Sequence, residues 1–335
     1  MNNKLYGKVV NYIKREYKFL IGCLLIILIG VVRLPVNLYV GGGIIDLEDR
    51  VSIENEYNEK GSFNLAYVKE VRATLPTYLL SFLFNWERES IKNIQIDEND
   101  NAKDIWKRER LYLEEANDNA VINAYRLAEE PLTITNEVYK VLYIDSDADT
   151  NLEIGDEIIS VNNKVIKEQS DLKNALIDTS VNEETIIKVM RNNKEKTCYA
   201  KVILMNNEKK MGVYLIKNYD YETDRDIEFN FSSREGGSSG GFMLSLAIYN
   251  RLVEKDITNG LKIVGTGTID NLGNVGEIGG VKYKLMGAVN GKADLLFVPY
   301  ENYQEAIDFK KEKGYNIEIV KVKTLQDAIN YLESR

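Results

Sequence analysis

An uncharged apolar stretch of 14 residues, Phe19–Val32, directly follows a basic segment that sets Lys4, Lys8, Lys14, Arg15 and Lys18 against Glu16 alone. No other stretch constrains the architecture as much, because a positive flank followed by an apolar run reads as membrane targeting. As a helix the run rises only about 21 Å, short of a hydrocarbon core of about 30 Å. Tyr17 on one side and Leu34, Val36, Leu38, Tyr39 and Val40 on the other extend it, with Arg33 snorkelling. The expectation is one transmembrane helix over residues 17–40, uncleaved, since no A-x-A site follows. The basic flank then places residues 1–16 in the cytoplasm and everything after Val40 on the outer side of the cell membrane. A second apolar piece, Leu79–Phe84, is too short to cross and reads as a core helix.

The rest of the chain has ordinary globular composition, but it contains no histidine. That removes the commonest general base and the commonest metal ligand, so Ser-His-Asp and Cys-His enzymes are excluded. Cys23 and Cys198 cannot make a zinc site by themselves, and no metal or cofactor is expected. A balance of 43 basic and 52 acidic residues, net −9, argues against nucleic acid as a partner. Carboxylates, lysines and hydroxyls are left to carry any chemistry.

Beyond the apolar run, Gly41–Ile53 and Gly61–Val68 read as short strands. Leu113, Ala116, Ala120, Ala124 and Leu127 recur at helical spacing until Pro131 ends the helix. From Val138 the texture changes to short strands at 138–144, 157–161, 185–190 and 198–204, with Ser170 as an N-cap for a helix at 171–177. The run Leu152-Glu-Ile-Gly-Asp156-Glu-Ile-Ile-Ser-Val161-Asn-Asn-Lys-Val-Ile166, then Ser170-Asp171-Leu172, resembles a PDZ domain of the bacterial protease-associated type, covering residues 131–206. That resemblance implies capture of extended peptide by strand addition. Thr133–Glu137 lacks the glycine pair of a carboxylate-binding loop, which favours an internal segment over a chain end.

The chemistry is concentrated downstream. Gly236-Gly237-Ser238-Ser239-Gly240-Gly241 opens an apolar helix, and such loops present backbone N–H groups to phosphates or developing oxyanions. Phe242-Met243 stands where a phosphate loop needs lysine and a hydroxyl residue, and Gly273–Gly280 lacks the G-x-G-x-x-G spacing, so no nucleotide is expected. The oxyanion reading needs a nucleophile, Ser238 or Ser239, and a lysine whose pKa is lowered by burial.

Gly236–Gly241, Thr266-Gly267, Gly279-Gly280-Val281-Lys282-Tyr283-Lys284 and Phe297-Val298-Pro299-Tyr300-Glu301-Asn302 resemble, in order and with nearly the same spacing, the motifs of Lon-type serine proteases. The resemblance implies Ser239 as nucleophile and Lys284 as its base. It also implies Thr266 as support for the lysine amine, and Gly236, Gly237, Ser238 and Gly240 as the oxyanion loop. Two residues depart from the family's G-P-S-A-G motif: Ser238 replaces the proline and Gly240 the alanine. The implied fold is α+β, a Lon-type proteolytic domain in two parts, 41–130 and 207–335, with the PDZ-like block inserted between them.

Together these features look like the membrane-anchored, outward-facing Lon-like proteases of bacteria, which lack an ATPase module. The expected activity is ATP-independent cleavage of exported peptides or membrane-proximal proteins. The alternative is an inactive Lon-like and PDZ scaffold that binds extended segments.

Overall fold

The computed structural model describes residues 2–84, 86–91, 101–205 and 207–335, without the side chains of 2–5 and 8–10, which include Lys4 and Lys8. In chain order they form helix α1 (Asn2–Val31), strands β1 (Arg33–Val40), β2 (Ile44–Asp46), β3 (Val51–Ile53), β4 (Ser62–Ala66) and β5 (Lys69–Thr74), helix α2 (Leu75–Leu83) and strand β6 (Glu87–Ser90). Helix α3 (Ala102–Ala128) leads to β7 (Leu132–Ile144), β8 (Glu157–Val161), β9 (Lys164–Val165), α4 (Gln169–Ala175), β10 (Glu184–Arg191), β11 (Lys194–Lys201), β12 (Ile203–Met205), β13 (Glu208–Lys210) and β14 (Val213–Thr223). Then come β15 (Ile227–Phe229), α5 (Gly241–Leu252), β16 (Lys262–Gly265), β17 (Thr268–Ile269), β18 (Val275–Gly276), α6 (Val281–Asn290), β19 (Leu295–Pro299), α7 (Tyr303–Lys313), β20 (Glu318–Val322) and α8 (Leu325–Glu333). The chain divides into two compact units, Met1–Val40 with Lys69–Ile96, and Gly41–Val68 with Asp97–Arg335.

In the first unit β1 is the centre of an antiparallel sheet of order β5-β1-β6. This corrects the span expected over 17–40. The helix stops at Val31, Arg33–Val40 is a strand, and among the described residues no helix is long and apolar enough to cross a membrane. Pro35 is the physical reason: it cannot donate to a helical hydrogen bond and holds the preceding residue extended, while Val36, Leu38 and Val40 alternate as a strand does. The β1–β5 register is irregular between Arg33 and Asn37, around that proline. The core role read for Leu79–Phe84 also fails. In α2 the buried residue is Ser81, and the leucines and phenylalanines are exposed.

The second unit has a mixed α/β architecture. Its central sheet, β2-β4-β16-β19-β20, is parallel from β4 to β20 with β2 antiparallel at one edge. Parallel neighbours need crossovers, and α6 between β16 and β19 and α7 between β19 and β20 supply them. One apolar cluster joins α3, α5 and α8 to Phe63, Ile263, Leu295 and Phe297. Another joins α6 and α7 to Ala66, Val264, Leu296 and Val298, so alternate strand residues serve opposite layers. The alanine stripe of α3 lies buried, as its spacing implied, and α3 begins at Ala102, capped by Asn101 Oδ1 accepting from the Lys103 and Asp104 N–H groups. Helix α5 is buried almost all round, which fits its nearly continuous apolar sequence.

The PDZ-like strands form a sheet of order β11-β10-β8-β7-β14 with its own core of Val141, Ile158, Val161, Ile187, Val189 and Ala200. Strand β14 lies beyond residue 206, yet it pairs antiparallel along the length of β7, from Ile144 opposite Val213 to Leu132 opposite Thr223. The helix expected at 171–177 begins at Gln169 with Glu168, not Ser170, as its N-cap. Asp171 decides this, because its carboxylate accepts from the N–H groups of Lys167 and Glu168.

Candidate active site

Parallel sheets gather functional groups at the carboxyl ends of their strands, where loops leave toward the helices. Strand β16 ends at Gly265, and the next residue, Thr266, is fully buried. The Ser239 carbonyl accepts from the Gly267 N–H at 2.9 Å and from the Thr266 hydroxyl at 3.1 Å. The Phe242 N–H in turn donates to the Gly267 carbonyl at 3.2 Å. These bonds hold the serine-bearing turn against the end of β16.

Helix α6 supplies the lysine. Its N-cap, Gly280, has φ +69°, a conformation that costs glycine little and other residues more. Just before it, the side chain of buried Asn302 clasps both backbone groups of Ile278: Oδ1 accepts from its N–H and Nδ2 donates to its carbonyl, each at 2.9 Å. One helical turn on, Lys284 is 5% exposed, and its Nζ donates to Thr266 Oγ1 at 3.0 Å. Thr266 thus accepts from the lysine while donating to the serine residue's carbonyl. Among the described residues no carboxylate lies within ion-pair distance of Lys284. Burial pushes its amine down to about 8 from the usual lysine value.

Ser239, Thr266 and Lys284 therefore come together, joined through the threonine. Among the described residues no direct hydrogen bond links the serine hydroxyl to the amine. Lys282 is exposed and pairs with Glu305 at 3.7 Å, away from this chain of contacts. Of the loop residues, Gly237 is engaged: its N–H donates to the Glu109 carbonyl of α3 at 2.8 Å, so in this conformation it is closed to an oxyanion. The Gly241 N–H closes the turn on the Ser238 carbonyl. Gly240 has a packing explanation, since a Cβ there would stand 2.8 Å from Leu65 Cδ2.

Sequence reasoning had no role for Asn302, although it stood inside a matched motif, and none for Glu109. Glu109 acts through a backbone carbonyl in a helix, so side-chain identity carries no signal of it. Arg110, next to it, donates to the carbonyls of Ser232 and Glu235, so the first turns of α3 hold the loop from outside.

Residues 231–333 match the family model of the Lon protease (S16) C-terminal proteolytic domain, and residues 114–202 match that of the PDZ domain. The chain carries a Lon-type proteolytic domain and a PDZ domain. Among curated proteins it is similar to the Lon protease of Campylobacter jejuni, 33% identical over 96 residues, which are 28% of this chain and 12% of the relative. Lon protease 2 of Bacillus subtilis is 34% identical over 110 residues, 32% of this chain and 19% of the relative. The Lon protease of Aster yellows witches'-broom phytoplasma is 30% identical over 94 residues, 28% and 12%. The chain thus spans less than a fifth of the length of these relatives. Among solved structures, the PDZ domain of an SdrC-like protein from Listeria monocytogenes aligns over 25% of this chain and 93% of its own, at 17% identity and a TM-score of 0.23.

Proposed function

We propose that the chain is a serine endopeptidase in which Ser239 attacks the scissile carbonyl and Lys284 is the general base. The observation that carries this reading is a lysine that is buried with no carboxylate among the described residues within ion-pair distance, and that is tied through Thr266 to the residue bearing the serine. A lysine pushed to about 8 has a neutral fraction near neutral pH that an ordinary lysine lacks. Lys284 takes the hydroxyl proton, the alkoxide forms an acyl-enzyme, and the same amine returns the proton to the leaving nitrogen. The N–H groups of Gly236, Ser238 and Gly240 are assigned to the oxyanion, with Gly237 joining only where its bond to Glu109 opens. Thr266 orients the amine.

Independence from ATP, and exported or membrane-proximal polypeptides as substrates, belong to the same proposal. The PDZ domain supports polypeptide substrates through its capacity for strand addition. Hydrolysis of an unfolded protein by the wild type and by Ser239→Ala, each with and without ATP and magnesium, tests both points. Cleavage by the wild type alone, unchanged by nucleotide, supports them; equal cleavage by both proteins refutes Ser239. The inactive scaffold is the weaker reading, because one of the departures that motivates it, Gly240, is accounted for by Leu65.

Attachment to a bilayer is proposed from the first unit, where Phe19–Val32 is exposed along most of its length and Lys14, Arg15 and Lys18 precede it. An exposed apolar helix flanked by cations can bury its apolar residues in the bilayer while the cations snorkel to the headgroups. An outer location for the protease domain extends this reading, and labelling of intact cells with an impermeant reagent tests it.

A further inference from the structure

Helix α2 is built inside out. The ten residues Leu75–Phe84 carry no charge, yet the side chain its own unit buries is Ser81, 0% exposed, whose hydroxyl donates to the Tyr78 carbonyl and accepts from Arg88. Leu79, Phe82, Leu83 and Phe84 are exposed instead, Leu83 at 77%. An exposed patch of this kind marks an interaction surface.

Its surroundings indicate which kind. Arg33, which follows the apolar run of α1, is paired with Thr74, which precedes α2, so the end of one apolar element lies beside the start of the other. The two helices are also in contact within one unit. A partner protein would cover one stripe of a helix, but Leu24, Leu25, Ile26, Ile27 and Leu28 of α1 are consecutive and all exposed, so the apolar surface runs around the helix. Acyl chains surround a helix in that way. At the margin of α2 the Arg88 guanidinium lies 4.1 Å from the centroid of the Phe82 ring, and Trp86 stacks on Phe84. An apolar face bordered by arginine and tryptophan matches the boundary of a bilayer with anionic headgroups.

We propose that α2 is a second lipid-contacting element, inserting Leu79, Phe82, Leu83 and Phe84 into the acyl boundary of an anionic bilayer beside the apolar run of α1. The inference rests on the bilayer attachment proposed above. It assigns α2 a function, that of fixing the first unit against the lipid surface by a second contact where a single helix end would leave it free to swing.

The chain has two tryptophans, so Trp106→Phe leaves Trp86 as the reporter at the end of α2. The full chain carrying that change is mixed with phosphatidylglycerol–phosphatidylcholine vesicles whose acyl chains are plain or brominated, and flotation and Trp86 emission are read together. Flotation with about two-fold quenching of Trp86 by the brominated lipid is expected. Adding Leu79→Glu with Leu83→Glu, both exposed sites, should abolish the quenching while flotation persists. Flotation without quenching would overturn the role of α2 and leave the attachment through α1 standing. Failure of the full chain to float would overturn both.

Discussion

Arg251 and Lys284 are both cations taken out of water in the second unit, 2% and 5% exposed, but their surroundings differ completely. Arg251 donates to Glu59 at 3.0 Å, has Glu56 at 3.9 Å, and also donates to the Val51 carbonyl, so its charge is paired. Lys284 donates to a neutral hydroxyl, and its amine is driven down to about 8. Compensated burial makes Arg251 a structural tie between α5 and β3. Uncompensated burial leaves Lys284 with the lowered pKa that the proposed role of general base requires, at a cost in stability.

The largest effect expected from this contrast is catalytic. Ser239→Ala and Lys284→Met should each lower peptide hydrolysis on the order of 10⁴-fold while circular dichroism stays unchanged. Arg251→Met should instead unfold the domain more readily, by about 3 kcal/mol in urea titrations, because the partly buried Glu59 loses its counter-charge and keeps only the Asn250 amide. Adding Glu59→Leu should recover most of that loss. If Arg251→Met were harmless to stability, the pair would not be the tie described.

The reverse sign is expected at the lysine. Because its pKa is lowered in the folded state to about 8 from 10.5, the folded protein binds fewer protons than the unfolded chain between those values. Its penalty is therefore fully present below pH 8 and is relieved as pH rises toward 10.5. Lys284→Met should then stabilise the protein at pH 7 by on the order of 1–3 kcal/mol, with the gain shrinking across that window in thermal unfolding. A destabilised Lys284→Met would mean that the amine is compensated after all. Smallest of the four, Gly240→Ala should cost about 1 kcal/mol by crowding Leu65, and Leu65→Ala in the same chain should relieve the crowding.

The same contrast shows what could be read without coordinates. Ser239, Thr266 and Lys284 were singled out by the resemblance of their motifs to those of Lon-type proteases, and the structure brings these three segments together at the end of β16. The burial of Lys284 was required by the chemistry, but that no carboxylate among the described residues lies beside it depends on how separated segments meet and is not local. The buried arginine tie was invisible for the same reason, since Glu59 and Arg251 are 192 positions apart. The alternating strands of the PDZ block and the alanine stripe of α3 were readable from their periods. The span over 17–40 failed because apolar content was weighed above Pro35, and α2 was misjudged because an apolar segment was assumed to face inward.

The central claim is that neutral Lys284 activates Ser239. Its most direct test is the rate at which a fluorophosphonate acylates Ser239, measured from pH 6 to pH 10 in the wild type and in Lys284→Met. The account predicts a wild-type rate that rises through an inflection near 8 and then levels off, with no such inflection and far slower labelling in the variant. A pH-independent wild-type rate, or equal labelling of the two proteins, would contradict it.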